Sequence, residues 1–283
     1  MKVSYYPGCS LHGMGKEYDQ SMRAVSRALN IEIKEVDDWS CCGASAAHNT
    51  NFDLSVALPA RNLIAAEKDA MDLMVPCAAC FNRFKTTEHH LKADKDLKAR
   101  IEGVLGEKYQ GGIAIRNPID VIYNEIGIDA LSAKVLKPLA GLKPVSYYGC
   151  LLLRPPDVCQ FENYENPFML DKIMESIGAD VKNWSYKTDC CGGSLSVSKT
   201  AIVTEMCDKL MSGAKEAGAN CLVTACPMCM ANLEMRPSSN MKMPVFYFTE
   251  LISLALGLPG SKETFKTHLT DVRPLLTQLR LIE

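Results

Sequence analysis

Ten of the thirteen cysteines fall into two sets with closely matching spacing. In the first set, 31 residues separate Cys9 from the pair Cys41-Cys42, and 34 more lead to a Cys-x-x-Cys motif at Cys77 and Cys80. The second set, with separations of 39 and again 34 residues, contains Cys150, Cys190, Cys191, Cys226 and Cys229. One Cys-x-x-Cys is common in zinc and thioredoxin-like sites. Its recurrence at the same long spacing indicates a repeated metal or redox site.

The number of thiols in each set favours iron–sulfur chemistry. Structural zinc is closed by four ligands, whereas several irons can share five thiolates if one of them bridges. Adjacent cysteines can reach one small cluster only from a turn, which Gly43 and the pair Gly192-Gly193 would permit. Outside the two sets, we expect Cys207 and Cys221 to be buried in the core and Cys159 to be a core or loop thiol.

The text around the cysteines repeats as well. Residues 4–9 read SYYPGC and residues 146–150 read SYYGC, while CCGAS at residues 41–45 corresponds to CCGGS at residues 190–194. A period of this length is too long for a solenoid. The sequence therefore predicts a tandem duplication, with an N-terminal domain at 1–143 and a C-terminal domain at 144–283.

The elements that must position the cysteines alternate between strand and helix. Short β-prone runs at 2–6, 73–75, 145–148 and 222–225 each lead almost directly into a cysteine. Apolar residues at helical spacing follow, from Met22 to Leu29 and from Val203 to Ala214. This alternation predicts an α/β fold in which each half is a small parallel sheet with flanking helices and cysteines at the strand C-terminal ends.

Three further segments are predicted from pattern alone. The charged stretch 88–108 is typical of one exposed helix, and 119–139 supplies more helix before the second half. The last stretch, 261–283, is expected to be a terminal helix or tail that Pro274 interrupts.

Composition excludes several classes of function. A net charge of -2 with no long Lys/Arg run argues against nucleic acid or an anionic membrane as a partner. The N-terminus lacks a signal-peptide pattern and no apolar stretch is long enough to span a bilayer, so we expect a cytoplasmic protein. Because neither a G-x-G-x-x-G motif nor a P-loop is present, a partner must supply electrons.

The motifs resemble those of a known family. YYPGCSLHGMGKEYD, WSCCGASAAH, VPCAACFNRF, YYGCLLLRPP and CPMCMANL are similar to the cysteine-rich CCG domains of the heterodisulfide reductase B subunit, and to its bacterial-type branch in particular. The resemblance covers nearly the whole chain, although the separation of 34 residues is about one residue shorter than the usual family pattern.

The resemblance implies one noncubane 4Fe-4S cluster in each domain, each held by five cysteines. One cluster would be held by Cys9, Cys41, Cys42, Cys77 and Cys80, and the other by Cys150, Cys190, Cys191, Cys226 and Cys229. The clusters would face each other across the domain interface with the substrate disulfide between them. Electrons would arrive from a flavoprotein A subunit through a ferredoxin-like C subunit.

Cations near the cysteines are candidates for binding acidic groups of such a substrate. These candidates are His12, Lys16, His48, Arg154 and Lys199.

Two other functions remain open at this point. Related CCG proteins act as electron-relay subunits of quinone-linked dehydrogenases of the glycolate, lactate or glycerol 3-phosphate type, but some of them lack a full Cys-x-x-Cys, which this chain keeps twice. A zinc-binding scaffold is the third hypothesis, supported only by the general affinity of Cys-x-x-Cys for zinc.

Overall fold

Two parallel sheets, one in each half, form the framework of the computed structural model, which describes residues 1–44 and 46–283. The first sheet has the strand order β2-β1-β3-β4 and the second has the order β5-β6-β7. The strands are β1 (Lys2–Tyr5), β2 (Glu32–Glu35), β3 (Leu73–Met74), β4 (Ile115–Arg116), β5 (Pro144–Tyr147), β6 (Cys221–Thr224) and β7 (Val245–Tyr247). All of these neighbouring strands pair in parallel, which confirms the predicted α/β class.

Helices connect and flank the strands. They are α1 (Gly8–His12), α2 (Lys16–Ala28), α3 (Ala47–Thr50), α4 (Phe52–Glu67), α5 (Ala78–Ala93), α6 (Lys95–Leu105), α7 (Pro118–Asp120), α8 (Ile128–Ser132), α9 (Pro156–Cys159), α10 (Met169–Ser176), α11 (Thr200–Glu216), α12 (Pro227–Met235), α13 (Phe248–Ala255), α14 (Ser261–Thr264) and α15 (Arg273–Gln278). A π-helical turn at Val121–Ile126 and a 3-10 turn at Gly193–Leu195 complete the regular structure of the described residues.

The predicted apolar stripes do form the buried faces of helices. In α2, Met22 and Val25 are fully buried, and Leu29 just after the helix is almost so. In α11 the buried face includes Val203 and Leu210. Because residues three and four apart share a face, each stripe packs its helix onto the core.

The prediction of one exposed helix at 88–108 is wrong. The segment contains the end of α5 and all of α6, because the Asp94 side chain accepts hydrogen bonds from the backbone N–H groups of Asp96 and Leu97 and begins a new helix there. Glu88 is buried, paired with Lys85 and Lys92. The hydrophilic composition of the segment indicates neither the helix break at Asp94 nor the burial of Glu88.

Two further predictions need correction. The stretch 119–139 contains the end of α7, the π-helical turn and α8. Residues 133–139 form neither helix nor strand. Pro274 lies in the first turn of α15, where a missing backbone N–H costs no hydrogen bond, so it begins a helix instead of interrupting one.

The two halves pack against each other through α2 and α13. Ser21 Oγ and Thr249 Oγ1 lie 2.7 Å apart in this buried contact, and the rings of Tyr18 and Tyr247 stack with their centroids 4.3 Å apart. The division at 143/144 stays a prediction. No helix in the described part of the chain combines the length and apolar character needed to cross a bilayer.

Candidate functional site

A repeated tyrosine hydrogen bond places each cysteine pair beside the end of a strand. The Tyr6 hydroxyl, just beyond β1, donates to the carbonyl of Ser40 at 2.7 Å. The Tyr147 hydroxyl, at the end of β5, donates to the carbonyl of Asp189 at 2.7 Å. Because Ser40 and Asp189 directly precede the two cysteine pairs, the same bond holds each pair near the first cysteine of its set.

We call the two sets the N-terminal site (Cys9, Cys41, Cys42, Cys77 and Cys80) and the C-terminal site (Cys150, Cys190, Cys191, Cys226 and Cys229). In each site a glycine allows the chain to pass close to the last cysteine. Gly8 and Gly149 have φ of +66° and +68°, and a Cβ there would lie 3.3 Å from Cys80 Sγ and 3.1 Å from Cys229 Sγ, respectively. Glycine at these positions therefore brings the strand end and the Cys-x-x-Cys helix together.

A glycine in the left-handed region follows each cysteine pair. Gly43 and Gly192 have φ of +72° and +76°, so the chain changes direction directly after the pairs, as these glycines permit.

The two sites meet at Cys77 and Cys226. These residues precede the first turns of α5 and α12 as the N-cap residues, where the partial positive charge of the helix favours a thiolate. A hydrogen bond from the Cys226 thiol, followed by one from Cys80, lowers the pKa of Cys77 well below its ordinary value. Both residues are buried, and Ala78 and Ala79, which follow Cys77, line the same cavity as Cys226.

Within each site the thiols lie in close pairs. The Sγ–Sγ distances are 3.7 Å for Cys9–Cys41, 3.2 Å for Cys42–Cys80, 3.8 Å for Cys150–Cys190 and 3.7 Å for Cys191–Cys229. Among residues 1–44 and 46–283, no three His, Cys, Asp or Glu side chains form a group that could hold a single metal ion.

Hydrogen bonding between neighbouring thiols divides them into thiolate and thiol. A hydrogen bond from Cys41, with a second from Cys80, lowers the pKa of Cys42 to about 4. A hydrogen bond from Cys150 lowers the pKa of Cys190 to about 6. Since the thiolate is the form that binds metal, each site holds a sulfur prepared for ligation near neutral pH.

All five cysteines of the C-terminal site line one cavity of about 160 Å³. The N-terminal half supplies part of its wall, through Ala44, His48, Ala78, Ala79 and Arg83. Five thiols around one cavity exceed the four ligands of a zinc site, and the donor set fits an iron–sulfur cluster in which one thiolate is shared.

Of the five cations selected from the sequence, His48 lines this cavity. Arg154 donates to Glu165 at 2.8 Å, and His12 lies 3.5 Å from Glu35. Lys16 and Lys199 are exposed at the start of α2 and just before α11. Their substrate roles stay predictions.

Sequence reasoning missed two residues that follow Cys80. Arg83 lines the cavity of the C-terminal site although it belongs to the N-terminal half. The Asn82 amide lies 3.1 Å from the Leu151 carbonyl, 2.8 Å from the Arg154 carbonyl and 3.4 Å from Cys159 Sγ. The only available signal was their position next to a ligand, which does not indicate that they reach the other half.

The three cysteines outside the sites are buried, as expected for Cys207 and Cys221. Cys159 ends α9, and its thiol also lies 3.7 Å from the Leu151 carbonyl. Burial raises the pKa of Cys159 to about 11, so this thiol stays protonated at neutral pH.

Fold and site together define a duplicated α/β protein with two adjoining five-thiol sites. The cysteine-rich domain family CCG matches residues 3–85 and 145–234, and the chain belongs to this family. The two matched regions contain all ten cysteines of the two sites.

Curated relatives extend the similarity over most of the chain. It is 29% identical, over 97% of its length and 99% of the relative, to the 8-methylmenaquinol:fumarate reductase membrane anchor subunit of Wolinella succinogenes. It is 27% identical, over 90% of its length and 89% of the relative, to the B subunit of the ferredoxin/F(420)H(2)-dependent CoB-CoM heterodisulfide reductase of Methanosarcina acetivorans. Lactate utilization protein A 2 of Bacillus cereus is 23% identical over 91% of the chain and 100% of the relative. The resemblance to the heterodisulfide reductase B family is thus confirmed, within a group of related oxidoreductase proteins.

A solved structure supports the fold. A hypothetical protein from Helicobacter pylori aligns with 96% of the chain at a TM-score of 0.74 and 12% identity. The chain spans about half of that protein, 52% of its length.

Proposed function

We propose that this chain is the catalytic component of a heterodisulfide reductase-like complex, in which each five-cysteine site holds a noncubane 4Fe-4S cluster and a disulfide is reduced between the two. The observation that carries this proposal is that the cavity of the C-terminal site is also lined from the N-terminal half, by Ala78 and Ala79 directly after Cys77. A substrate in that cavity would have a site on either side of its S–S bond.

Reduction of a disulfide takes two electrons and two protons and yields two thiols. When bound, the clusters supply one-electron redox chemistry on both sides of the bond. The chain's own residues hold the ligands in place: the hydroxyls of Tyr6 and Tyr147 fix the cysteine pairs, and the first turns of α5 and α12 favour thiolates at Cys77 and Cys226.

The partners follow from what the sequence lacks. With neither a flavin nor a nucleotide motif, the chain would receive electrons from a ferredoxin-like C subunit, which in turn would receive them from a flavoprotein A subunit. The relatives named as B subunits of heterodisulfide reductases support an assembly of this kind. We propose a cytoplasmic location for the complex.

A second candidate function is electron relay in a quinone-linked complex. The similarity to the 8-methylmenaquinol:fumarate reductase membrane anchor subunit, at 29% identity over 97% of the chain, favours this alternative. In that function the two sites would pass electrons without binding a thiol.

Metal analysis and thiol binding test the proposal. Anaerobically purified protein should contain about eight irons per chain, as two four-iron clusters require, and little zinc. Addition of a thiol to the oxidised protein should change its electron paramagnetic resonance spectrum, and the assembled complex should reduce a disulfide. Iron without a thiol response, together with copurification of a quinone-linked flavoprotein, would establish the relay, and zinc with little iron would overturn both functions.

A further inference from the structure

Arg83 is a half-buried cation for which residues 1–44 and 46–283 provide no hydrogen-bond or ion-pair partner. It lines the cavity of the C-terminal site, and its guanidinium forms no hydrogen bond or ion pair with any residue that the structure describes. By contrast, Arg23, Arg61, Arg100, Arg116, Arg154 and Arg273 each pair with a carboxylate. Partial burial of an unpaired charge is unfavourable, so an anion in the cavity would be bound with a gain in free energy.

The duplication shows that this placement is specific to one half. Arg83 lies three residues after Cys80, and the residue three positions after Cys229 is Asn232. The Asn232 amide donates to the Cys191 carbonyl at 2.8 Å and stays within its own half. At equivalent positions, Asn232 therefore supports the cysteine pair of its own half, whereas Arg83 extends from the N-terminal half to the C-terminal site.

The residues that line the cavity with Arg83 include a histidine but no acidic side chain. His48 lines the same cavity and is exposed, so it can adjust its position toward a ligand. The other wall residues from the N-terminal half, Ala44, Ala78 and Ala79, are small and carry no charge. Neither Asp nor Glu is among the residues lining the described cavity, so nothing there competes with an anionic ligand for the guanidinium.

We propose that Arg83, assisted by His48, forms an anion subsite of the C-terminal site, and that the thiol half of the substrate bound there carries a carboxylate. This inference rests on the proposed disulfide reductase function and assigns a polarity to it: the anionic half of the disulfide binds at the C-terminal site. Arg83 contacts the substrate, and its planar guanidinium matches the two oxygens of a carboxylate.

Binding of two small thiols that differ in charge tests the subsite. The oxidised holoprotein is titrated with 3-mercaptopropionate and with neutral 2-mercaptoethanol, and the thiol-dependent electron paramagnetic resonance signal is followed. Arg83→Met should weaken the affinity for 3-mercaptopropionate by about tenfold or more, as expected for the loss of a charge-assisted hydrogen bond. Its affinity for 2-mercaptoethanol should stay within about twofold of the wild type, and Arg83→Lys should recover part of the loss.

Arg236→Met is the matched control. Arg236 is also half-buried and lies near the C-terminal site, but it donates to Ser196 Oγ at 2.9 Å and does not line the cavity. This variant should bind both thiols as the wild type does. Iron content and circular dichroism establish that each variant keeps its clusters and its fold.

The possible results separate this inference from the proposed function. If the wild type binds both thiols and Arg83→Met binds 3-mercaptopropionate equally well, the anion subsite is wrong and the reductase function stands. If Arg83→Met weakens both thiols equally and shifts the midpoint potential, Arg83 balances the charge of the cluster, which also overturns the subsite. If the wild type binds neither thiol, the proposed function itself fails.

Discussion

The N-terminal and C-terminal sites have the same five-cysteine motif but different surroundings. In the N-terminal site Cys9 and Cys41 are both exposed, whereas in the C-terminal site Cys190 is exposed and Cys150 is half-buried. The segment after the first cysteine differs as well, with 39 residues in the C-terminal half and 31 in the N-terminal half. The longer segment contains α9, which packs against α5 of the N-terminal half.

This comparison shows how a duplicated site can acquire two roles. The features that hold the thiols are repeated: the tyrosine bond, the glycine at positive φ and the Cys-x-x-Cys at a helix N-terminus. By contrast, Arg83 and His48 come from the N-terminal half and line the cavity of the C-terminal site. The repeat therefore preserves the arrangement of the thiols, while the interface between the halves makes the surroundings of the two sites unequal.

The largest expected effect comes from removing one buried ligand from each site. Cys80→Ser and Cys229→Ser should each lower the iron content from about eight to about four per chain, because either residue serves only its own set. Metal analysis and electron paramagnetic resonance would measure the loss. Complete loss of iron in either variant would show that the sites are not independent.

The next largest effect is a pH-dependent contribution to stability that comes from the C-terminal half. His268, in the C-terminal half, lies 2.9 Å from Glu234 Oε1 and 3.1 Å from Glu250 Oε1. Burial opposes protonation, but the hydrogen bonds to both carboxylates prevail and raise its pKa from 6.5 to about 10. The stabilisation is fully present below pH 6.5 and is lost as the pH rises toward 10, at about 1.4 kcal/mol per unit of pKa shift.

Urea unfolding of the holoprotein between pH 6.5 and pH 10 would measure this loss. His268→Gln should be less stable than the wild type at the lower pH and should show a much smaller change over the same range. An identical pH dependence in both proteins would contradict the assignment to His268.

Substitution of Asn82 tests whether contacts between the two halves control the distance and coupling between the two sites. Asn82→Leu would leave the part-buried carbonyls of Leu151 and Arg154 without their donor, at a cost of about 1–3 kcal/mol in the free energy of unfolding. It should also change the magnetic coupling between the clusters. Asn117→Leu is the control, since Asn117 is also buried and accepts from the Asp120 backbone N–H within the N-terminal half, away from the cavity of the C-terminal site. It should lower stability without changing the coupling, and equal coupling in both variants would contradict a positioning role for Asn82.

The smallest effect is expected at the repeated glycine. Gly149→Ala places a side chain in the left-handed region, at a cost of about 1–2 kcal/mol, and its Cβ would lie 3.1 Å from Cys229 Sγ. Gly8→Ala meets Tyr6 at 3.0 Å and Cys80 Sγ at 3.3 Å. Thermal unfolding should show a similar loss for both, and a loss at one position alone would show that the two sites differ in their backbone as well.

The sequence by itself determined the duplication, the α/β class and the two matching cysteine sets. Each depends on spacing: strands that run into cysteines, apolar residues at helical intervals, and glycines after the cysteine pairs. Such local patterns are readable because backbone geometry fixes which residues share a face or a turn.

Only the tertiary structure decided which residues serve the opposite half. In the sequence, Asn82 and Arg83 are distinguished only by following Cys80, but in the structure they contact or line the C-terminal half. The sequence also does not show that Arg154 is paired with Glu165. The contact of Cys77 with Cys226 joins residues 149 positions apart. The periodicity of a helix or strand specifies which of its faces is buried. Which residues of the other half contact that face depends on how the two sheets and their helices pack together.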